Sequence, residues 1–181
     1  MSLTATIGTT VDEVLALVDE LEEITYGGMD LRTHAWTCAG LAIDAGCDPT
    51  LVAATLLHDI GRARYLARQA PGVPHEEVGR RFVEDRFGDR AGWLVGTHVV
   101  AKRYLATVDA DYTAGLPRTS RSSLRRQGGK LSSKQVTTFE ASEWAGDAVA
   151  LRRFDDAALH GEGTPADPAV LATVLGDAWT A

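Results

Sequence analysis

Residues 51–59 read LVAATLLHD, an apolar run that ends in two polar side chains. Asp48 followed by Pro49 supplies an N-cap and a proline at the first helical position, and the run is too rich in Ala and Leu to prefer a strand. The segment therefore reads as a helix that delivers His58 and Asp59 at its C-terminal end. Two adjacent polar side chains are costly to bury there unless something partners them.

Helical periodicity continues through the rest of the chain. Thr10 and Glu13 have capping-box spacing, and Val11, Val14, Leu15, Val18 and Leu21 then predict a helix over about 11–24. Leu31, Cys38, Leu41, Ala42 and Ala45 predict a second over about 31–45, stopped by Gly46. After QAPGVP, the segment HEEVGRRFVEDRFG reads as helical to Gly88, and Trp93, Leu94, Val95, Val99 and Leu105 mark another helix over about 89–106. A long polar connection is expected over about 107–131, ending in a Gln127-Gly128-Gly129 turn, and loops of that length are usually functional or disordered. Ser132 and Gln135 form a second capping box, and helical stretches near 144–159 and 168–179 close the chain. No strand alternation persists and no repeat is visible. The expected architecture is an all-α bundle, one domain over residues 1–181.

Composition narrows the function. A formal charge of −7 works against broad binding to a nucleic-acid backbone, although the basic stretch 118–130 has the charge to hold one small anion. Charged or polar residues interrupt every apolar stretch, so no membrane span is expected. The N-terminus has neither a basic region nor an apolar core of signal type, and Cys38 and Cys47 have no CxxC spacing. A cytoplasmic monomer or homodimer acting on a small molecule is the expectation.

The histidines carry the chemistry. Of five, His34, His58, His75 and His98 fall on successive helices, whereas His160 lies in the polar stretch HGEG and reads as a surface residue. Neighbours on a helix diverge by about 100°, so His58 and Asp59 do not easily chelate one ion together. A carboxylate, however, can bridge two ions while the adjacent imidazole binds one. With Asp155 added, four imidazoles and two carboxylates make a nitrogen and oxygen ligand set suited to Fe, Mn, Co, Ni or Zn, and a dinuclear centre fits best. Lys102 lies four residues beyond His98, on the same helical face, where it can meet an anion. Arg62, one turn after the His-Asp pair, can bind substrate or offset a helix dipole. Cys38, Trp36, Trp93 and Phe139 read as core.

The pattern His34, His58-Asp59 and Asp155 resembles the HD-domain superfamily. The segments LVAATLLHDIG (51–61), THVVAKRYLATVDADY (97–112), SLRRQGG (123–129) and LRRFDD (151–156) are similar to the HD-domain oxygenases of phosphonate catabolism. Those enzymes use a mixed-valent Fe(II)/Fe(III) centre and O2 to cleave a carbon–phosphorus bond; myo-inositol oxygenase is a more distant relative. The resemblance implies one iron on His34, His58, Asp59 and Asp155, and a second on His75 and His98, with Asp59 bridging. It also implies substrate contacts from Arg62, Lys102, Ser120, Ser123 and Gln127, and a gating role for Tyr26 beside the catalytic Asp59. Two departures stand out. Arg62 replaces a histidine of the phosphonate enzymes, and Met29-Asp30 follows Tyr26-Gly27-Gly28 where a glutamate is usual.

Three functions follow from these residues. One is a di-iron oxygenase acting on a small 1-hydroxyphosphonate with an amino or trimethylammonio group. The second is a metal-dependent HD phosphohydrolase acting on a nucleotide or phosphate ester. A non-enzymatic metal-binding module is the third, and a complete ligand set argues against it.

Overall fold

A computed structural model of the chain describes residues 9–181, and helices carry nearly all of its regular structure. The first, α1 (Val11–Asp19), is capped by Thr10, whose Oγ1 accepts from the Glu13 N–H at 3.3 Å. The Glu13 carboxylate accepts from the N–H and the hydroxyl of Thr9, one residue further out than a capping box needs. A 3-10 turn at Glu20–Glu23 then ends the regular helix earlier than periodicity suggests. Thr25–Tyr26 and Met29–Asp30 pair as a minimal antiparallel hairpin around Gly27 and Gly28, whose φ values are 64° and 93°. A two-residue turn of this kind needs positive φ at both central positions, which only glycine adopts freely.

Asp30 caps α2 (Leu31–Asp44) by accepting from the Thr33 N–H at 2.8 Å. Asp48 caps α3 (Pro49–Leu57) through the N–H groups of Thr50 and Leu51. Next come α4 (Arg64–Gln69) and α5 (His75–Val108). Gly88, with φ 79° and ψ 174°, breaks α5 into two arms, as the sequence pattern on either side of that glycine predicts. The chain continues through α6 (Ala110–Gly115), α7 (Arg118–Arg126), α8 (Ser133–Glu140), α9 (Ala145–Leu159) and α10 (Pro168–Ala178). Ser132 and Gln135 form the reciprocal capping box at the start of α8.

The expected connection over 107–131 is instead mostly helical. Asp109 caps α6 by accepting from the Asp111 and Tyr112 N–H groups, and Pro117 leads into α7. Arg and Ser dominate α7, so apolar periodicity cannot reveal it; the buried stripe is Ser120, Ser123 and Leu124.

The apolar run takes the centre of the fold. Every residue from Leu51 to Ile60 is buried, and α3 packs against α2, α5, α9 and α10. Burying its aliphatic side chains at about 25 cal/mol per Å2 supplies much of the driving force and commits His58 and Asp59 to the interior. No helix among the described residues is long and apolar enough to cross a membrane.

Close packing positions the turn after α3. A Cβ on Gly61 would lie 2.0 Å from the His75 carbonyl oxygen and 2.8 Å from the Gly79 nitrogen, both backbone atoms of α5. Gly61→Ala is therefore expected to destabilise the fold by roughly 1–3 kcal/mol, the range for overpacking a tight contact. Thermal unfolding measures this, and a Tm equal to wild type would show that α5 tolerates the displacement.

Candidate metal centre

Four imidazoles form a zigzag between α2, α3 and the two arms of α5. Ring centroids are 5.3 Å apart for His34–His58, His58–His98 and His75–His98 alike. Two groups of facing ligand atoms result, one from His34, His58 and Asp155 and the other from Asp59, His75 and His98. Asp59 joins them. Its Oδ2 lies 3.9 Å from His58 Nε2, and its Oδ1 lies 3.0 Å from His75 Nε2. Asp155 reaches both neighbours of the first group, with Oδ1 3.2 Å from His34 Nε2 and Oδ2 3.8 Å from His58 Nε2.

Hydrogen bonds on the far side of the rings aim these nitrogens inward. His58 Nδ1 donates to the Thr55 carbonyl at 2.8 Å, and His98 Nδ1 donates to the Val95 carbonyl at 2.7 Å. His75 Nδ1 faces Glu76 Oε2 at 2.9 Å. The two carbonyl contacts leave Nε2 of His58 and His98 as the lone-pair atom of a neutral ring, and all three are the arrangement by which an outer partner orients a metal-binding histidine. His58 Nε2 is buried and has no hydrogen-bond partner. A buried polar atom left in that state costs about 1–3 kcal/mol, which a metal ion would relieve. The donor set and the orphaned nitrogen both fit a pair of metal ions.

Burial and charge separate the protonation states. Burial, reinforced by the neighbouring imidazoles, pushes His98 down to about 3, and burial likewise lowers His58. Burial opposes protonation of His34 too, but the Cys38 sulfur and the Asp155 carboxylate outweigh it and raise the imidazole. His75 is raised against burial by Asp59 and Glu76. Both carboxylates stay ionised despite their burial, Asp59 chiefly through Arg62 and Asp155 chiefly through Arg152. The two raised histidines are thus those that a metal ion must deprotonate.

Arg152, 2% exposed, braces the site from α9. It pairs with Asp155 and Asp156, and its Nε donates to Asp156 Oδ2 at 2.9 Å. The Tyr112 hydroxyl donates to the same oxygen. Together these contacts fix Asp155, which has both oxygens turned to the imidazoles.

A cavity of about 310 Å3 opens over the second ligand group, and Tyr26, Arg62, Glu76, Lys102, Ser123, Arg126 and Gln127 are among its walls. Ser123 Oγ donates to the Ser120 carbonyl at 3.0 Å and so accepts from Lys102 Nζ at 3.2 Å and from the Tyr26 hydroxyl at 3.1 Å. Lys102 also donates to Gln127 Oε1 at 3.3 Å. The minimal hairpin brings Tyr26 here, and α7 with its following turn brings Ser123 and Gln127.

Not every expected substrate group faces the cavity in the expected way. Ser120 Oγ is buried without a hydrogen-bond partner, and only its carbonyl reaches toward the site, because the hydroxyl lies on the inner face of α7. Arg62 lines the cavity, but its guanidinium turns back onto Asp59 and His75. Asp30 is occupied as the cap of α2. His160 is exposed, Cys38 is buried against His34, and Trp36 and Trp93 are only partly buried beside the core that holds Phe139. Sequence reasoning missed Glu76 and Arg152, and it placed Arg126 only within the basic stretch 118–130. Arg152 carried a signal, since carboxylates three and four residues on share its helical face.

The HD domain pattern matches residues 31–124, just over half of the chain, and takes in His34, the His58-Asp59 pair, His75 and His98. The chain belongs to the HD-domain family. Among curated proteins it is 33% identical over 168 residues to a hydroxymethylphosphonate dioxygenase of Gimesia maris, covering 87% of this chain and 82% of that protein. It is also 31% identical over 130 residues to an uncharacterized protein of Acanthamoeba polyphaga mimivirus, covering 68% of this chain and 59% of that one. The HD domain and the dioxygenase-named relative support reading the chain as an enzyme, and its two His/Asp groups have the make-up of metal sites.

Removing Arg152 would leave two buried carboxylates without their cation. Arg152→Ala is expected to cost about 3–5 kcal/mol, the range for breaking one side of a buried ion pair. Chemical denaturation measures it, and a loss under about 1 kcal/mol, the range of a surface pair, would show that solvent replaces the guanidinium.

Proposed function

We propose that the enzyme is a di-iron oxygenase that cleaves the carbon–phosphorus bond of a small 1-hydroxyphosphonate, as one HD domain over its whole length. The observation that carries this reading is the meeting of two ligand groups at Asp59 beneath a cavity whose wall bears Lys102. His34, His58 and Asp155 would hold one ion and His75 and His98 the other, with Asp59 shared. When bound, mixed-valent Fe(II)/Fe(III) supplies the activation of O2 and the redox capacity to oxidise the substrate carbon.

The chain's own residues do the rest. Lys102 Nζ, with Gln127 and Ser123 beside it, holds the phosphonate oxygens so that the hydroxyl-bearing carbon faces Asp59 and His75. Tyr26 closes the same wall through Ser123 and limits the entry of O2 and water. Such fixed donors replace the water an anion loses on entering the core.

The cavity favours a substrate without a cationic tail. Of its carboxylates, Asp59 and Asp155 are assigned to metal, and Glu76 is engaged with His75. The amino or trimethylammonio group implied by the sequence resemblance therefore lacks a free partner in the cavity wall. Hydroxymethylphosphonate, the compound in the relative's name, fits better. Its reaction balances with one O2 giving one formate and one phosphate, both oxygen atoms entering the products.

Two measurements test this reading. O2 uptake and phosphate release from hydroxymethylphosphonate are expected in a one-to-one ratio with the iron-loaded enzyme, exceeding the rate with 2-amino-substituted analogues. Equal phosphate release under strict anaerobiosis, or release from phosphate esters alone, would instead make the protein a phosphohydrolase. Lys102 gives the second test. Burial, with the nearby charge of Arg152, pushes it down to about 8. Its cationic form persists below that value and is lost as pH rises through it, so wild-type affinity for methylphosphonate should fall relative to that of Lys102→Met across this range. Below it, Lys102→Met should bind about 10- to 150-fold more weakly, the equivalent of one charge-assisted hydrogen bond. A constant ratio of affinities between pH 7 and 9 would place the ammonium away from the anion.

A further inference from the structure

Arg62 occupies ligand atoms that the second ion would need. Its Nε donates to Asp59 Oδ1 at 2.8 Å, and its Nη2 lies 3.1 Å from His75 Nε2. Those two candidate ligand atoms face one another across 3.0 Å. A guanidinium has donors only, so in this position it competes with a metal ion for the Asp59 oxygen and stands against the His75 nitrogen. The first ligand group differs. His58 Nε2 has no partner, and the arginine on that side, Arg152, approaches through Asp155 alone.

We propose that Arg62 is an internal counter-cation for the Asp59–His75 half of the centre, displaced into the cavity by the incoming second ion and thereby made available to bind the substrate's anionic group. This inference rests on the dinuclear reading above. The Arg62 side chain is 37% exposed and lines the cavity, so it has space to turn. Once displaced, it shares that space with Lys102 and Arg126, and its planar fork matches two phosphonate oxygens. The ions then load unequally. The first meets an orphaned nitrogen, whereas the second must displace a hydrogen-bonded cation of like charge. Because displacement creates an anion-binding group, second-ion uptake and anion binding favour one another, and that coupling is reciprocal.

Titrating metal-free protein with Mn(II), and following free Mn(II) by electron paramagnetic resonance, tests the proposal without turnover. Wild type should take up two ions in separate steps. Arg62→Met should tighten the second step by about tenfold or more, as expected when one like charge a few ångströms away is removed, and leave the first unchanged. Arg62→Lys, which keeps the charge, should remain closer to wild type in its second step. Methylphosphonate should tighten the second step in wild type, and this coupling should shrink in Arg62→Met. Two bound ions with an identical second step in wild type and Arg62→Met would overturn the counter-cation role while leaving the dinuclear centre standing. Uptake of fewer than two ions by both proteins would overturn the dinuclear reading and the inference with it.

Discussion

The Asp59 carboxylate, held in the interior between His58 and His75, is the contact on which the rest of the site depends. The aliphatic side chains of α3 pull that helix into the centre of the bundle, and the two polar residues at its end go with it. An ionised carboxylate in such a place is stable only among compensating charges and donors. The His75 imidazole and the Arg62 guanidinium provide them in the metal-free chain, and bound cations would provide more. The same burial that stabilises the fold therefore creates the demand that the ligand set answers.

That ligand set is organised from outside as much as from within. The Thr55 and Val95 carbonyls and the Glu76 carboxylate fix ring orientation, and Arg152 with Tyr112 fixes Asp155 and its neighbour Asp156. Rigid backing of this kind lets a site keep its geometry while a substrate enters from the cavity side. The contrast between the two arginines follows from their surroundings. Arg152 is enclosed and paired with two carboxylates, whereas Arg62 borders open space.

Much of this was legible in the residues. The Asp48-Pro49 start, the apolar run and the His-Asp ending each act locally, so α3 and its cargo could be read without knowledge of what packs around them. The four histidines followed from their placement on successive helices. The hairpin at Tyr26 was hidden because two residues per strand give no alternation to detect. Helix α7 was hidden because serines and arginines fill it, and burial of Ser120 and Ser123 depends on tertiary contacts. The inward turn of Arg62 was not readable either. A helix-capping arginine, a substrate-binding arginine and a counter-cation share one sequence signature, and only the distances to Asp59 Oδ1 and His75 Nε2 separate them.

Anomalous diffraction from crystals of the protein grown with Fe(II) under anaerobic conditions would locate the metal ions relative to Asp59. Two iron peaks are expected, one beside His34, His58 and Asp155 and the other beside His75 and His98, with Asp59 contributing an oxygen to each. A single peak, or two peaks that do not share Asp59, would contradict the dinuclear assignment.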